Sequence, residues 1–266
     1  MTRTASHRIR VLGAVLALIV GAAIVLTAMQ PPARPQPAPK REMLQLTVVK
    51  IKPELVDQWL EFQKTETIPM LKKAGVKSRD AWTTAVFGDG FTYGFVTPIE
   101  TFAQYDGETP PVRALGADGA RAYGEKNRRF VESTRTVAIQ TRPDLSYDVK
   151  MTAPPKLALL SDITVMPGKT ADFEALIKSD VVPVMRKARL GYSVSQTIIG
   201  GDISGFTSLI LYDNFADVGK GHPFLRVLGA EGERQLLTKA AAFTSRVERR
   251  VVRYVPELSF APRPTT

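Results

Sequence analysis

Read as apolar and polar positions, the chain presents one order of elements twice. Leu44 to Ile51 is rich in Leu, Val and Thr and reads as a strand. Pro53 stands where a helix begins, and Leu55, Val56, Trp59, Phe62, Ile68 and Leu71 then recur at three- and four-residue steps, one apolar stripe that Gly75 ends. Pro69 lies inside that stripe and predicts a kink, and Pro183 predicts the same kink again. Val76 to Phe87 alternates, Gly88-Asp89-Gly90 turns the chain, and Phe91 to Thr97 returns, which makes a hairpin. A second helix is predicted over Asp118 to Val137, with Tyr123, Phe130, Val131 and Thr134 on its buried side, before a closing strand near Val137 to Thr141.

The second pass runs from the strand Leu157 to Val165, through an apolar stripe of Phe173, Leu176, Ile177 and Val181, to a hairpin of Tyr192 to Ile199 and Phe206 to Leu211 around Gly200-Gly201-Asp202. A later helix is predicted over Gly232 to Val247. The spelling repeats with the pattern. P-x-x-R-x-L-G-A-[DE]-G occurs as Pro110 to Gly119 and as Pro223 to Gly232, and Arg142-Pro-Asp-Leu-Ser-Tyr147 returns as Val255-Pro-Glu-Leu-Ser-Phe260. The offset is 113 to 114 residues, with one residue lost between Pro183 and Asp202. The sequence thus divides into an apolar start (1–30), a Pro-rich linker (31–42), a first copy (43–148), a second copy (156–260) and a tail (261–266).

Strand, helix, strand, strand, helix, strand is the ferredoxin-like unit. Its sheet has one face under helices and one bare apolar face, and two such sheets can cover one another. Together with Ile68-Pro-Met-Leu-Lys-Lys-Ala-Gly75, the hairpin after it and the turn containing Phe102, this resembles the dimeric α/β-barrel superfamily, in its NIPSNAP-like and antibiotic-biosynthesis-monooxygenase-like branches. The resemblance covers about 100 residues of each copy and implies an α+β fold: tandem ferredoxin-like repeats forming an intramolecular dimeric α/β barrel. It assigns no chemistry, because fold analogy alone cannot.

Composition changes the picture chiefly at the N-terminus. Val11 to Met29 is an unbroken run of apolar and small residues, preceded by Arg3, Arg8 and Arg10. It is long enough for a hydrophobic helix that crosses a bilayer, which takes about 20 residues. The arginines place the start in the cytoplasm and the remainder across the membrane. An uncleaved signal anchor in the inner membrane, with the body in the periplasm or outside, fits better than a cleaved signal peptide, because Leu26-Thr27-Ala28-Met29-Gln30 is a poor cleavage site. Cleavage would leave a secreted protein. Pro31, Pro32, Pro35, Pro37 and Pro39 make a stiff spacer. Of the net charge of +10, residues 1–42 carry six Lys or Arg against one acid, hence +5, and leave +5 for the body. That mild excess, without the aromatic and basic strand signature of an RNA-recognition module, points away from nucleic acid. Arg246, Arg249, Arg250 and Arg253 read as a solvated face. Cysteine is absent, which excludes disulfides, thiolate nucleophiles and Cys-ligated metal.

Candidate chemistry is sparse. Arg113 and Arg226 hold equivalent places before a helix, where a planar guanidinium can bind an anionic ligand or tie the turn to carbonyls. Features kept in both copies usually serve the fold, so localised function is expected where the copies differ. His222 replaces Thr109 and is the single histidine after His7. As a base it is the candidate catalytic residue; as an axial ligand it would hold haem, since chlorite-dismutase-like proteins also fuse two such units and use a histidine on iron. Their helix-borne ligand is not recognisable around Gly219-Lys220-Gly221-His222-Pro223, so no cofactor is called for. No second His, H-x-x-x-H or D-x-D supports a metal. Asp80, Trp82 and Val86 share one strand face, with Arg79, Ala81, Thr83 and Phe87 on the other, and Trp82 and Tyr192 are candidates to line a pocket for a small apolar ligand. The expected function is small-molecule binding or interaction. The alternative is a cofactor-independent monooxygenase-like enzyme with His222 as base and Arg226 as anion stabiliser. Pairing of two chains stays open.

Overall fold

The computed structural model describes residues 40–149 and 154–261. The apolar run at 11–29 and the prolines up to residue 39 lie outside them. Among the described residues no helix is long and apolar enough to cross a membrane.

Each copy folds as the pattern requires. The first comprises β1 (Met43–Ile51), α1 (Val56–Phe62), a wide five-residue π turn (Gln63–Thr67), α2 (Ile68–Lys73), β2 (Asp80–Thr84), β3 (Thr92–Ile99), α3 (Pro110–Phe130) and β4 (Val131–Thr141). The second comprises β5 (Leu157–Val165), α4 (Thr170–Leu176), a π turn (Ile177–Val181), α5 (Val182–Ala188), β6 (Tyr192–Ile199), β7 (Gly205–Tyr212), α6 (Phe215–Gly219), α7 (Pro223–Ala241) and β8 (Thr244–Tyr254). All eight strands close into one antiparallel barrel in the order β1-β3-β2-β8-β5-β7-β6-β4. The copies meet where β2 pairs with β8 and β4 with β6, so neither keeps a free sheet edge.

The structure moves several boundaries. Pro69 and Pro183 each stand at the start of a new α segment that follows a π turn. A proline ring crowds the preceding turn and donates no N–H, and here the turn just before it widens: the N–H of Ile68 reaches the carbonyl of Gln63, and that of Val182 reaches Ile177. The later helices start earlier and end sooner than the pattern predicts. Both begin at the proline of P-x-x-R, and both are broken at Gly116 and Gly229, whose φ of 71° and 72° only glycine adopts readily. Val131 and Thr134 lie in β4, and Val247 in β8; these β-branched runs belong to the sheet.

Helices cover the outside of the barrel. In the first copy Ile51, Ala81 and Tyr93 face Trp59, Phe62, Tyr123 and Phe130; in the second, Val165, Phe206, Ile210 and Val251 face Phe173, Leu176, Val181 and Leu236. The opposite face of each sheet looks into the barrel. Leu46, Val48, Val96, Leu160, Leu209 and Leu211 lie there, each partly accessible.

The repeated P-[DE]-L-S-[YF] segments explain why the copies stay together. Leu145, from the first copy, is buried in the helix–sheet core of the second, while Leu258, from the second, is buried with Val255 in the core of the first. Ser146 Oγ accepts from the Val194 N–H at 2.9 Å, and Ser259 Oγ accepts from the Ala81 N–H at 3.0 Å. Tyr147 then pairs with Tyr192, and Phe260 with Arg79, by two backbone hydrogen bonds each. One junction adds ions. Arg142 is 2% exposed and donates to Asp144 at 2.9 and 2.8 Å and to Glu174 of the other copy, holding both carboxyls below their usual range.

Leu145→Ala and Leu258→Ala should each cost about 2–5 kcal/mol of unfolding free energy, the usual range for a buried leucine. The location of the damage is diagnostic. Hydrogen exchange should show Leu258→Ala loosening α1 and β1 to β3, and Leu145→Ala loosening α4 and β5 to β7; loss confined to the mutated copy would contradict the exchange.

Candidate functional site

The first copy's helix–sheet core contains a group its surroundings do not neutralise. Arg79 immediately precedes β2 and points under the helices with Ala81 and Thr83. It is 3% exposed. Its Nη2 donates to Gln63 Oε1 at 2.8 Å, and the guanidinium lies 3.7 Å from the centre of the Phe95 ring. Its Nε is buried with no partner, and no carboxylate pairs with it among the described residues. Burial pulls the Arg79 pKa down to about 10, slightly offset by the neighbouring Tyr123. A buried cation without a counter-charge is costly. Arg142, equally buried, shows the compensated alternative.

The wall is polar on one side and aromatic on the other. Thr67, the last residue of the π turn, shares a 3.0 Å hydrogen bond with the hydroxyl of Tyr123. Tyr123 stacks on Phe62 with centroids 5.2 Å apart, and Trp59 lies 4.5 Å from Tyr93 and 6.2 Å from Phe95. Burial pushes the Tyr123 hydroxyl pKa up, so it stays protonated. π turns recur at functional sites, but this chain has one in each copy. The turn alone therefore does not mark the site.

Position by position, the second copy lacks this cluster. Gln63, Thr67, Arg79 and Tyr123 correspond to Ile177, Val181, Tyr192 and Leu236, and Phe95 to Ser208. All are buried. Tyr192 replaces the cation, its hydroxyl bonded to Ser208, and burial pushes its pKa up to about 12. The same fold is therefore stable without any of the first copy's buried polar groups.

The residues expected from sequence do not converge. Trp82 faces the barrel interior, edge-on to Tyr254 at 5.2 Å, while Tyr192 lies under the helices on the other side of the sheet wall. Arg113 donates to the carbonyls of Ala74 and Glu108 at 3.2 and 2.5 Å, tying its turn to the end of α2. Arg226 is exposed near Asp217 and Tyr212. His222 caps α7: its Nδ1 accepts from the Phe224 N–H at 3.3 Å, and the ring lies edge-on to Phe224. Burial first, then Arg249, lowers its pKa to about 4, so it is neutral at pH 7. Arg79 and its partners were missed because an arginine on a strand face reads as solvated. The usable signal was the alignment of the copies, which sets Gln63, Thr67 and Arg79 against Ile177, Val181 and Tyr192.

Solved structures share this architecture. A putative monooxygenase from Fusobacterium nucleatum superposes with a TM-score of 0.55 at 13% identity, covering 82% of this chain and 94% of that one. An anthrone oxidase-like protein gives 0.52 at 12%, covering 82% and 92%. A mutant chlorite dismutase from Candidatus Nitrospira defluvii gives 0.54 at 9%, covering 82% and 94%. The likeness is one of fold: a closed eight-stranded antiparallel barrel with helices outside, both halves in one chain. No protein-family model and no curated protein sequence matches.

Likeness at this identity establishes the barrel and not its chemistry. Haem, the axial-ligand alternative raised for His222 by sequence, does not fit the donor set here. In the neutral ring of His222 the lone pair is on Nδ1, where it accepts the Phe224 N–H, and the proton is therefore on Nε2. Ligation would cost either the helix cap or that proton. The same pairing leaves His222 poorly placed as a base.

Because the folded pKa of His222 is depressed from 6.5 to about 4, its contribution is present above pH 6.5 and is lost as pH falls through that window. The loss should approach about 3 kcal/mol, at roughly 1.4 kcal/mol per pKa unit. Urea unfolding at pH 7, 5.5 and 4.5 checks it: His222→Asn, which keeps a cap but cannot titrate, should show a shallower decline than the parent protein.

Proposed function

We propose that this barrel is a small-molecule enzyme of the monooxygenase kind that uses no cofactor, and that its reaction compartment is the helix–sheet core of the first copy. One observation carries the reading: Gln63, Thr67 and Arg79 are buried together, with the half-buried Tyr123 against them, around an uncompensated cation, at positions where the second copy folds with Ile, Val, Tyr and Leu. Since the fold does not need the cluster, its cost is explained by a ligand. The names of the structural neighbours, putative monooxygenase and anthrone oxidase-like, support the reaction class.

In such chemistry an electron-rich ring supplies all the electrons. Anthrone serves as the model. Its acidic CH2 carbon loses a proton to solvent, the carbanion forms a C–O bond to dioxygen and the peroxide takes up a proton, and the second C–H bond and the O–O bond then break as water leaves. Anthrone and dioxygen give anthraquinone and water, which balances without another reductant. The chain's part is to bury the ring among Trp59, Phe62, Tyr93, Phe95 and Tyr123 and to hold an anionic group of the substrate at Arg79. We assign the anion to Arg79 and not to Arg226, because a buried cation acts in a low dielectric and an exposed one is screened.

Binding without turnover, as a carrier or sensor of the same class of molecule, is the second reading; the closure of the compartment around Arg79 favours it. Oxygen-electrode measurements on the full chain with anthrone separate the two. Uptake above buffer is expected, falling at least about 100-fold in the graft Gln63→Ile, Thr67→Val, Arg79→Tyr, Phe95→Ser, Tyr123→Leu, which writes the second copy's residues, Ser208 included, into the first and should keep the fold. Uptake that is absent, or equal in the graft, leaves only the binding reading.

We also propose that residues 11–29 anchor the barrel at the membrane with the body in the periplasm or outside, on the apolar run and the arginines before it. Full-length protein should sediment with membranes and resist carbonate extraction, whereas a chain starting at Lys40 should be soluble. A soluble full-length chain with an intact N-terminus would refute the anchor.

A further inference from the structure

We infer that Arg79 is a substrate-specificity residue for a carboxylate, and that the ligand of the first copy is a flat aromatic carboxylic acid bound as its anion. The inference rests on the reading of this core as the ligand compartment and names what that compartment selects.

Three observations lead to it. The first is charge. A ligand that brings one negative charge neutralises the guanidinium, which no acidic side chain does among the described residues. The nearby Glu66 is already taken by Lys126 at 2.7 Å. The second is the shape of the available donors. The buried N–H without a partner is Nε, and its neighbour Nη2 is held by the neutral amide of Gln63 at 2.8 Å. Together they form the side edge of the guanidinium, whose two parallel N–H bonds match the two oxygens of a carboxylate. Gln63 gives up its bond at little cost, because its amide can turn and offer an N–H to the incoming oxygen. The third is the lining. The Phe95 ring centre lies 3.7 Å from the guanidinium, and Phe62, Trp59, Tyr93 and Tyr123 continue the aromatic wall, which suits a planar ring better than an aliphatic chain.

Arg79, Gln63 and Phe95 are packed in contact in this structure, so a ligand must part them, and the route in follows from their edge. Phe260, paired directly with Arg79, carries its ring on the same face beneath the ammonium of Lys72, 5.4 Å away. Turning that ring aside would open the end of the sheet next to Arg79, and Lys72 favours the approach of an anion. Phe260 belongs to the second copy, so the copy without the cluster supplies the door to the copy that has it.

The probe is 2-naphthoate, with its neutral isostere 2-naphthamide as the control, titrated under nitrogen into the full chain carrying Trp82→Phe. Trp59, packed against Phe95, then reports occupancy by its emission. Naphthoate should bind saturably and raise the unfolding temperature, and naphthamide should bind at least about 10-fold more weakly. Arg79→Met should weaken naphthoate about 10- to 100-fold, the range for a lost charged hydrogen bond, while leaving naphthamide unchanged. Arg79→Lys keeps the charge without the fork and should recover only part of the affinity. Phe260→Ala should speed association. Equal binding of acid and amide, no binding of naphthoate, or unchanged affinity in Arg79→Met overturns the inference. Dioxygen plays no part here, so binding with no oxygen uptake would end the enzyme reading and keep the carboxylate site, and uptake with no preference for the acid would do the reverse.

Discussion

The segments Pro143–Tyr147 and Pro256–Phe260 each leave their own copy and complete the other, and the rest of the molecule depends on that exchange. A single ferredoxin-like sheet ends in two unpaired edges and shows an apolar face to water. Strand pairing between copies closes the edges, but pairing alone can slip. Leu145 and Leu258 set the register by filling one cavity each on the far side, while Ser146 and Ser259 satisfy backbone N–H groups of β6 and β2. Each copy's helix–sheet core is therefore finished by its sibling, and separating them would bare the inner face of each sheet and open both helix–sheet cores.

The two junctions reach the same geometry by different chemistry. At one, Arg142 is buried and neutralised by Asp144 and Glu174; at the other, Val255 takes the equivalent place and packs without charge. Charge at this position is thus optional for folding, and where it occurs it is paired. Against that standard Arg79 is anomalous: as deeply buried, charged, and held by one neutral amide and one ring. The second copy shows that Tyr192 with Ser208 fills the corresponding space stably. A cost kept in one copy and absent from the other is the physical mark of a site.

Duplication also separates residues that serve the fold from those that do not. Gly116 and Gly229 break their helices at nearly identical backbone angles, and Leu115 and Leu228 press against Gly119 and Gly232 where a side chain would clash. The L-G-x-x-G spelling is repeated because both bends need it. Arg113 and Arg226, spelled alike, have diverged: one ties a turn to carbonyls, the other stands exposed near Asp217.

Local rules, applied twice, determined from the sequence the order of strands and helices, the offset between copies, the hairpins at Gly88 and Gly200, and the apolar stripe from Trp59 to Phe62. They work because side-chain period and turn chemistry act over a few residues. The ends of the later helices were not legible, since Val131, Thr134 and Val247 suit either state until a neighbouring strand offers hydrogen bonds. Nor was it legible that the repeated P-[DE]-L-S-[YF] segments cross between copies, because periodicity does not say which core a leucine enters. The site depended on tertiary structure most of all. Arg79 and Tyr192 occupy equivalent positions in the sequence, yet only the packed interior shows that one carries an unanswered charge among Gln63, Thr67 and Tyr123 and the other a satisfied hydroxyl, since burial and the absence of a counter-ion are properties of the assembled core.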